Sequence, residues 1–521
     1  MAQLVLDPHV GFSILATTAS ERERHEELGC GLQGPGSRPV RRALADLRAR
    51  IARLGRDAAI AQARELVAWL DDRPAYRALC EDRKIEGRRV LKERVLYPDP
   101  AAQVPATLHV RRGLDALEID LPLHAWAPLA DTIAAITAGE SAQKIRRGVR
   151  LPELQELFAE LEGAGLLWEG EPLPPPPREG GITFVGHNTA LVASETSRVL
   201  LDPWLRPWHE QDPADYRMFL PHQLLPVDAV LLTHSHGDHF HLGSLLHLPR
   251  STPIVVPYLP RENVLSTDLA FRLGQLGFTR VLRPRWWETV RFGDVEVQVL
   301  PFLGEQATAK ALVYPDVRNA GNTYAIRTPR ISAAFLADTG HDPLGHMTDV
   351  AAEARARFGP VDVLFGGMRA FRIHPVLYPF TTLDAYLLNV PLELAGEPQQ
   401  LMNDAAELLE TAERFGARFV VPYADGGAPW YWREGMGPAY KGYPAYEGFR
   451  EAPEAAIEDE QSDPFPERLA EVAARRYGGA GPVRSLVLRP GDAMQLVGGE
   501  PRIRRTPGHA WPYGEDPRET K

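Results

Sequence analysis

Residues 231–242 read LLTHSHGDHFHL, directly after the apolar run VDAVLL at 227–232. Four side chains able to ligate a metal, His234, His236, Asp238 and His239, fall within six residues of each other. A strand ending at Thr233 delivers His234 and His236 to one side, because alternate residues of an extended chain share a face. Gly237 permits a sharp turn that brings Asp238 and His239 round to a neighbouring position. One segment can therefore feed two adjacent metal ions. Imidazole suits zinc, iron and other transition metals, and the carboxylate adds a hard oxygen that can bridge. A single histidine here could serve structure alone, but a cluster of four groups behind a buried strand points to metal binding.

The chain around this motif has 521 residues, which is too many for one core, so two domains and a third small element are expected. Its composition, 44% hydrophobic and 24% charged, is that of an ordinary globular protein. A net charge of -11 argues against nucleic acid as a partner, since that binding needs basic surface. The two cysteines, Cys30 and Cys80, lie far from the motif and cannot build a Cys-rich zinc site, an iron–sulfur site or a disulfide framework. No apolar run approaches the length of a membrane span, and MAQLVLDPHVGFS lacks the layout of a signal peptide, so the expectation is a cytoplasmic protein with no membrane partner.

The clearest boundary is EGEPLPPPPREGG at 169–181, where four consecutive prolines favour an extended linker. Before it, residues 1–168 read as a mostly helical N-terminal domain for packing or dimerisation. ADLRARIARLGRDAAIAQARELVAWL (45–70) and LPELQELFAELEGAGLL (151–167) both carry apolar residues at helical spacing, and a small winged-helix-like bundle fits between Ala125 and Trp168. After it, short β-rich runs alternate with turns and occasional helices over 182–429. Several are continuously apolar, as buried strands are. Two sheets between helical layers is the economical α/β architecture. The tail, 430–521, reads as a capping extension with one last strand, SLVLRP.

The H-x-H-x-D-H motif resembles the signature of the metallo-β-lactamase superfamily, and the resemblance covers roughly residues 181–428. It implies an αββα sandwich. FVGHNTALVASETSRVLLDPWL (184–205) looks like that family's opening hairpin, with Asp202 ending a strand near the site. AFLADTG (334–340) looks like the segment supplying the metal-bridging carboxylate, here Asp338. PVDVLFGG and ARFVVPYADG look like the final two core strands. Two departures from the hydrolytic members matter. Where they supply a histidine before the bridging aspartate, this chain reads VQVLPFLGEQATA, with Glu305 the best ligand. Where they place one after the last core strand, it reads VVPYADGG, offering only Tyr423 and Asp425. A site richer in carboxylate should favour iron.

That pattern is similar to the diiron oxygenase branch of the fold, which includes the β-hydroxylase of chloramphenicol biosynthesis; ELVAWLDDRPAYR (65–77) also looks like a piece of that enzyme's N-terminal domain. The resemblance implies a monooxygenase with two iron ions, O2 as co-substrate and an external electron donor. Its substrate would be an amino acid or natural-product intermediate, either a small molecule or tethered to a carrier protein. In this reading His234, His236 and Glu305 hold one iron, Asp238 and His239 the other, and Asp338 bridges, so that catalysis turns on Glu305 and Asp338. The alternative is a hydrolase of a phosphodiester, lactone or amide with two zinc ions, which would activate a bound water. A homodimer through the N-terminal domain is expected by analogy. Arg369, Arg372 and His374 are candidates to hold an anionic group of the substrate, such as a phosphopantetheine or carboxylate, or else a solvated loop. Tyr423, Asp425 and Trp430 are candidates for a pocket wall, or else core. His241 reads equally as a helix start or a support for the site, and His341 as a ligand or an orienting residue near Asp338. His187 and Asn188 read as structural residues of a hairpin turn.

Overall fold

The computed structural model describes residues 2–15, 71–85, 88–102, 104–112, 115–171, 180–205, 219–368, 370, 372–373, 389–394, 397–423, 466–479, 481–488 and 490–504. The helix expected over 45–70, the proline run, Arg369, His374, Asp425 and Trp430 lie outside them.

In the N-terminal region, β1 (Gln3–Leu6) pairs antiparallel with β7 (Leu167–Gly170), just ahead of the linker. Strands β2 (Val10–Leu15), β5 (Thr107–Arg112) and β6 (Asp115–Asp120) form a three-stranded sheet, and β3 (Cys80–Ile85) pairs with β4 (Arg88–Leu91). The helices Trp126–Thr137, Ala142–Gly148 and Pro152–Gly163 follow. Helices dominate from Trp126 to Gly163, whereas the described residues before Trp126 are strand-rich. The signal was a period-two alternation, as in Leu108 and Val110, both buried on the core side.

Two sheets make the second domain. The first runs through β8 (Gly181–Gly186), β9 (Thr189–Ala193), β10 (Arg198–Leu201), β11 (Ala229–Leu231), β12 (Ile254–Val255) and β13 (Val281–Leu282). The second runs through β14 (Thr289–Phe292), β15 (Val295–Pro301), β16 (Asn322–Arg327), β17 (Ser332–Phe335) and, after the two-residue strands β18 (His341–Asp342) and β19 (Gly345–His346), β20 (Val363–Gly366). Another short pair, β21 (Arg372–Ile373) and β22 (Gln399–Gln400), precedes β23 (Phe419–Pro422).

The tail corrects the expected boundary at 429. Strand β24 (Arg484–Ser485) joins β23 in the second sheet, while β25 (Ala493–Val497) pairs with β8 and β26 (Glu500–Arg504) with β25 in the first. The sheet orders are β13-β12-β11-β10-β9-β8-β25-β26 and β14-β15-β16-β17-β20-β23-β24. The tail is therefore part of the sandwich rather than a cap on it, and it contributes three strands where one was expected.

Strand alternation explains the layering. Val199 and Leu201 face the inter-sheet core with Phe184, Val297, Phe335 and Phe365, while Leu200 between them faces outward. That outer face shares one core with Trp126, Leu129 and Ile133 of the helix Trp126–Thr137, so the N-terminal region and the first sheet are packed together. The helices Met347–Phe358 and Ala405–Phe415 cover the second sheet through Val350, Leu408 and Phe415. The expected αββα sandwich is present. Among the described residues no helix is long and apolar enough to cross a membrane.

Candidate metal centre

One end of the sandwich gathers the loops that carry the H-x-H-x-D-H segment, Glu305 and Asp338. The turn between β8 and β9 contributes His187 and Asn188, and the end of β10 contributes Asp202. The residues after β11 carry the H-x-H-x-D-H segment; Glu305 follows β15 and Asp338 follows β17. Three sets of side chains bring their ligating atoms within 4.8 Å of one another: His234, His236 and Glu305; His234, His239 and Asp338; and His187, Asp238 and His239. Because the sets share His234 and His239, they describe two neighbouring positions with Asp338 between them.

Distances fix the orientation of each ring. Glu305 Oε2 lies 2.7 Å from His236 Nδ1 and 3.3 Å from His234 Nε2. Asp338 Oδ2 lies 3.0 Å from His239 Nε2, and Asp238 Oδ2 lies 2.9 Å from His187 Nε2 and 3.6 Å from His239 Nε2. Behind them stands Asp202, fully buried. It accepts the Thr233 backbone N–H at 2.7 Å and the Thr233 hydroxyl at 2.5 Å, and it lies 2.8 Å from His239 Nδ1. With Nδ1 of His239 held as the donor to Asp202, its Nε2 presents a lone pair to the cluster, the arrangement by which a buried carboxylate orients a metal-binding imidazole. Thr233 Oγ1, 3.0 Å from His234 Nδ1, does the same for His234.

Within the three ligand sets and the Asn188 beside them, His234 Nε2, whose contact with Glu305 is off hydrogen-bond geometry, and Asn188 Oδ1 are buried without a hydrogen-bond partner. An orphaned imidazole nitrogen among carboxylates is costly without a cation and natural with one. The Asn188 amide nitrogen sits 3.3 Å from His187 Nε2, 3.1 Å from His239 Nε2 and 3.3 Å from Asp338 Oδ1. Exchanging the amide nitrogen and oxygen would aim a neutral oxygen at the same place. The donor set therefore fits a pair of divalent or trivalent transition-metal ions.

The electrostatics agree. Burial, with the neighbouring His239 and His236, holds His234 well below the usual imidazole range and keeps it neutral. Burial also opposes charge on His239, but Asp338 and Asp238 outweigh it and push that ring well above its ordinary value. His236 rises for the same reason, with burial outweighed by Glu305. The Asp238 carboxyl, despite burial, is drawn well below its ordinary value by His239 and His187. A concentrated negative field of this kind attracts cations.

His187 is the residue that the sequence reading set aside. It occupies the hairpin turn as read, yet its ring is fully buried, stands edge-on to Trp204 at 4.9 Å and points into the cluster. Tyr423, taken as a pocket-wall candidate, is instead a core residue, 1% exposed and packed on Phe335 and Phe365. Its hydroxyl accepts the Ala337 backbone N–H at 2.7 Å, which fixes the residue before Asp338. Arg372 lies half-buried in the β21–β22 pairing. His241 is a helix start: its Nδ1 accepts the Ser244 N–H at 3.1 Å. His341 stacks on His346 at 4.9 Å and lies 3.6 Å from Glu407, in none of the three ligand sets.

Residues 197–423 match the beta-lactamase superfamily domain. A 4-amino-L-phenylalanyl-[CmlP-peptidyl-carrier-protein] 3-hydroxylase from Streptomyces venezuelae is 30% identical over 274 residues, 50% of this chain and 47% of that protein. A UPF0173 metal-dependent hydrolase from Rhizobium etli is 33% identical over 115 residues, 22% of this chain and 42% of that protein. The chain thus spans less than half the length of either relative. The crystal structure of CmlA, a diiron β-hydroxylase from Streptomyces venezuelae, superposes on 97% of this chain and 100% of its own with a TM-score of 0.54 at 18% identity, a likeness of fold. Residues 197–423 thus resemble the beta-lactamase superfamily domain, and the chain that carries them has the metallo-β-lactamase fold.

Proposed function

We propose that this protein is a dinuclear iron hydroxylase acting on an amino acid or natural-product intermediate presented by a carrier protein. The observation that carries the reading is Glu305. Its carboxylate takes the place where hydrolytic members of the fold supply an imidazole, 2.7 Å from His236 and 3.3 Å from His234. An oxygen-rich set favours a harder ion, and iron in particular as it cycles to the ferric state. The 30% identity to a carrier-protein hydroxylase over half the chain supports the same reading and suggests the form in which substrate arrives.

His234, His236 and Glu305 would hold one ion and His187, Asp238 and His239 the other, with Asp338 between them. A reduced iron pair held there would supply two electrons toward O2, one oxygen entering a C–H bond as hydroxyl and the other leaving as water, with an external donor restoring the electrons. The protein's own part is positioning. Asp202 and Thr233 hold the tautomers of His239 and His234, and Tyr423 holds the strand end that carries Asp338. Burial of His234 and His239 excludes water from the inner side of the cluster.

A second reading, a zinc hydrolase, draws on His187, which returns an imidazole to the second position, and on the local likeness to a metal-dependent hydrolase. Metal analysis with an optical spectrum, on protein made with both iron and zinc available, separates the two. About two irons per chain, with ferric absorption that bleaches on reduction and returns with O2, is the expected outcome. Two zincs and no redox-active band would sink the hydroxylase. Glu305→His should shift bound metal toward zinc and abolish O2 consumption; an unchanged iron content would remove Glu305 as the deciding residue.

A further inference from the structure

A cleft of about 940 Å³ opens where Glu93 and Tyr97 of the N-terminal region meet the loops of the metal domain. Each of its walls carries an arginine laid over a tyrosine ring, Arg261 over Tyr97 at 4.2 Å and Arg285 over Tyr258 at 4.1 Å. A guanidinium stacked in this way is already oriented, so little entropy is lost when it grips an anion. Arg261 is paired with Glu93, and Arg318, also lining the cleft, with Asp342. Arg285 has no carboxylate partner for its guanidinium among the described residues; its Glu288 contact is through the backbone N–H. Asp316 also lines the cleft, so its anion-binding character rests on Arg285 and the aromatic shelf beneath it, within a chain of net charge -11.

The other end of the cleft reaches toward the metal cluster. Asn319 lines it and is 1% exposed. Its amide nitrogen donates to Glu305 Oε2 at 3.4 Å, which leaves Oδ1 buried without a hydrogen-bond partner. The amide cannot relieve this by turning over, because its oxygen would then face the Glu305 carboxylate. Gln306 locks the same residue from behind, accepting the Asn319 N–H at 2.9 Å and donating to its carbonyl at 2.8 Å. An oriented, buried acceptor with nothing to accept calls for a donor from outside the chain.

We propose that this cleft binds a phosphopantetheine arm, the phosphate at Arg285, the chain of amides along Tyr258 and Trp286, and an N–H of the arm or its cargo on Asn319 Oδ1. The inference rests on the carrier-tethered reading of the substrate. It places recognition of the anionic end at Arg285 rather than at Arg369, Arg372 and His374. The two polar anchors, one at each end, match a ligand with an anionic head and a hydrogen-bond donor further along, and the aromatic wall between them suits its flat amide groups.

The test is calorimetric titration of the full chain with phosphopantetheine, with pantetheine, which lacks the phosphate, and with inorganic phosphate. Each is run against the wild type, Arg285→Gln and Asn319→Ala. Arg285 is exposed, so its replacement leaves the fold intact, and circular dichroism checks this. The expected result is that phosphopantetheine binds the wild type about tenfold or more tighter than pantetheine. Arg285→Gln should abolish that difference without weakening pantetheine, while Asn319→Ala weakens both. Equal binding of phosphopantetheine by wild type and Arg285→Gln overturns the cleft assignment and leaves the carrier reading standing. Inorganic phosphate binding as tightly as the arm means an adventitious ion only, and overturns it too. If the wild type binds neither phosphopantetheine nor pantetheine, the cleft assignment is overturned as well.

Discussion

Four of the six non-glycine residues with positive φ among those described belong to the metal end of the sandwich: His187, Asp202, Glu305 and Ala337, the last beside Asp338. Each such conformation costs on the order of 1–3 kcal/mol and persists only where the surroundings over-determine it. Here it re-aims a side chain off the end of a strand and into the cluster. His187→Ala is expected to lower bound metal from about two ions per chain to about one, because the second position loses an imidazole while the first keeps its set. Metal analysis after dialysis reads this, and full occupancy in the variant would return His187 to a structural role. The contiguous ligands were legible because six residues of sequence hold four of them. His187 was not, since its only local mark is a polar ring in a turn between two apolar strands, and the φ that aims it leaves no trace in composition. Glu305 and Asp338 were found through resemblance, and no spacing rule reaches them.

At the scale of elements, β17 and β23 are not neighbours in the second sheet, yet the Tyr423 hydroxyl at the end of β23 accepts the Ala337 N–H at the end of β17. Tyr423→Phe leaves that buried N–H without a partner, so a destabilisation of about 1–3 kcal/mol is expected in urea unfolding. Weaker metal retention should accompany it, because Asp338 follows directly. A variant as stable and as well loaded as the wild type would show that the bond positions nothing. Most core strands announced themselves as continuous apolar runs, as strands buried on both faces do. Strands β25 and β26 were passed over although Gly498 and Gly499, both at positive φ, form the two-residue turn between them. The signal was a Gly-Gly turn between alternating segments, hidden because a tail rich in Gly and Pro reads as a cap.

At the scale of the molecule, the shared core between the N-terminal helices and the first sheet is polar at one point. His247 Nδ1 lies 2.7 Å from the Thr137 hydroxyl, and its ring packs 5.8 Å from Phe12. Burial pushes this imidazole down to about 4 from the ordinary 6.5. The fold therefore prefers it neutral, and the unfolded chain takes up a proton first as the solution is acidified. The stability this group contributes is complete above pH 6.5 and is lost as the pH falls from there through about 4. Wild type should lose about 1–2 kcal/mol more than His247→Asn between pH 7 and pH 4.5, read by urea midpoints. Parallel losses would show that the junction is indifferent to this residue.

The pairing of β8 with β25 also sets an order of events during synthesis. The ribosome makes all seven candidate ligands before residues 493–504, but until those residues emerge the strand leading to His187 is an open sheet edge, free to pair with another chain. A nascent or prematurely stopped polypeptide would carry the H-x-H-x-D-H segment with its support unfinished. A chain stopped before residue 493 should therefore retain less metal than the full chain, because the strand leading to His187 lacks its neighbour.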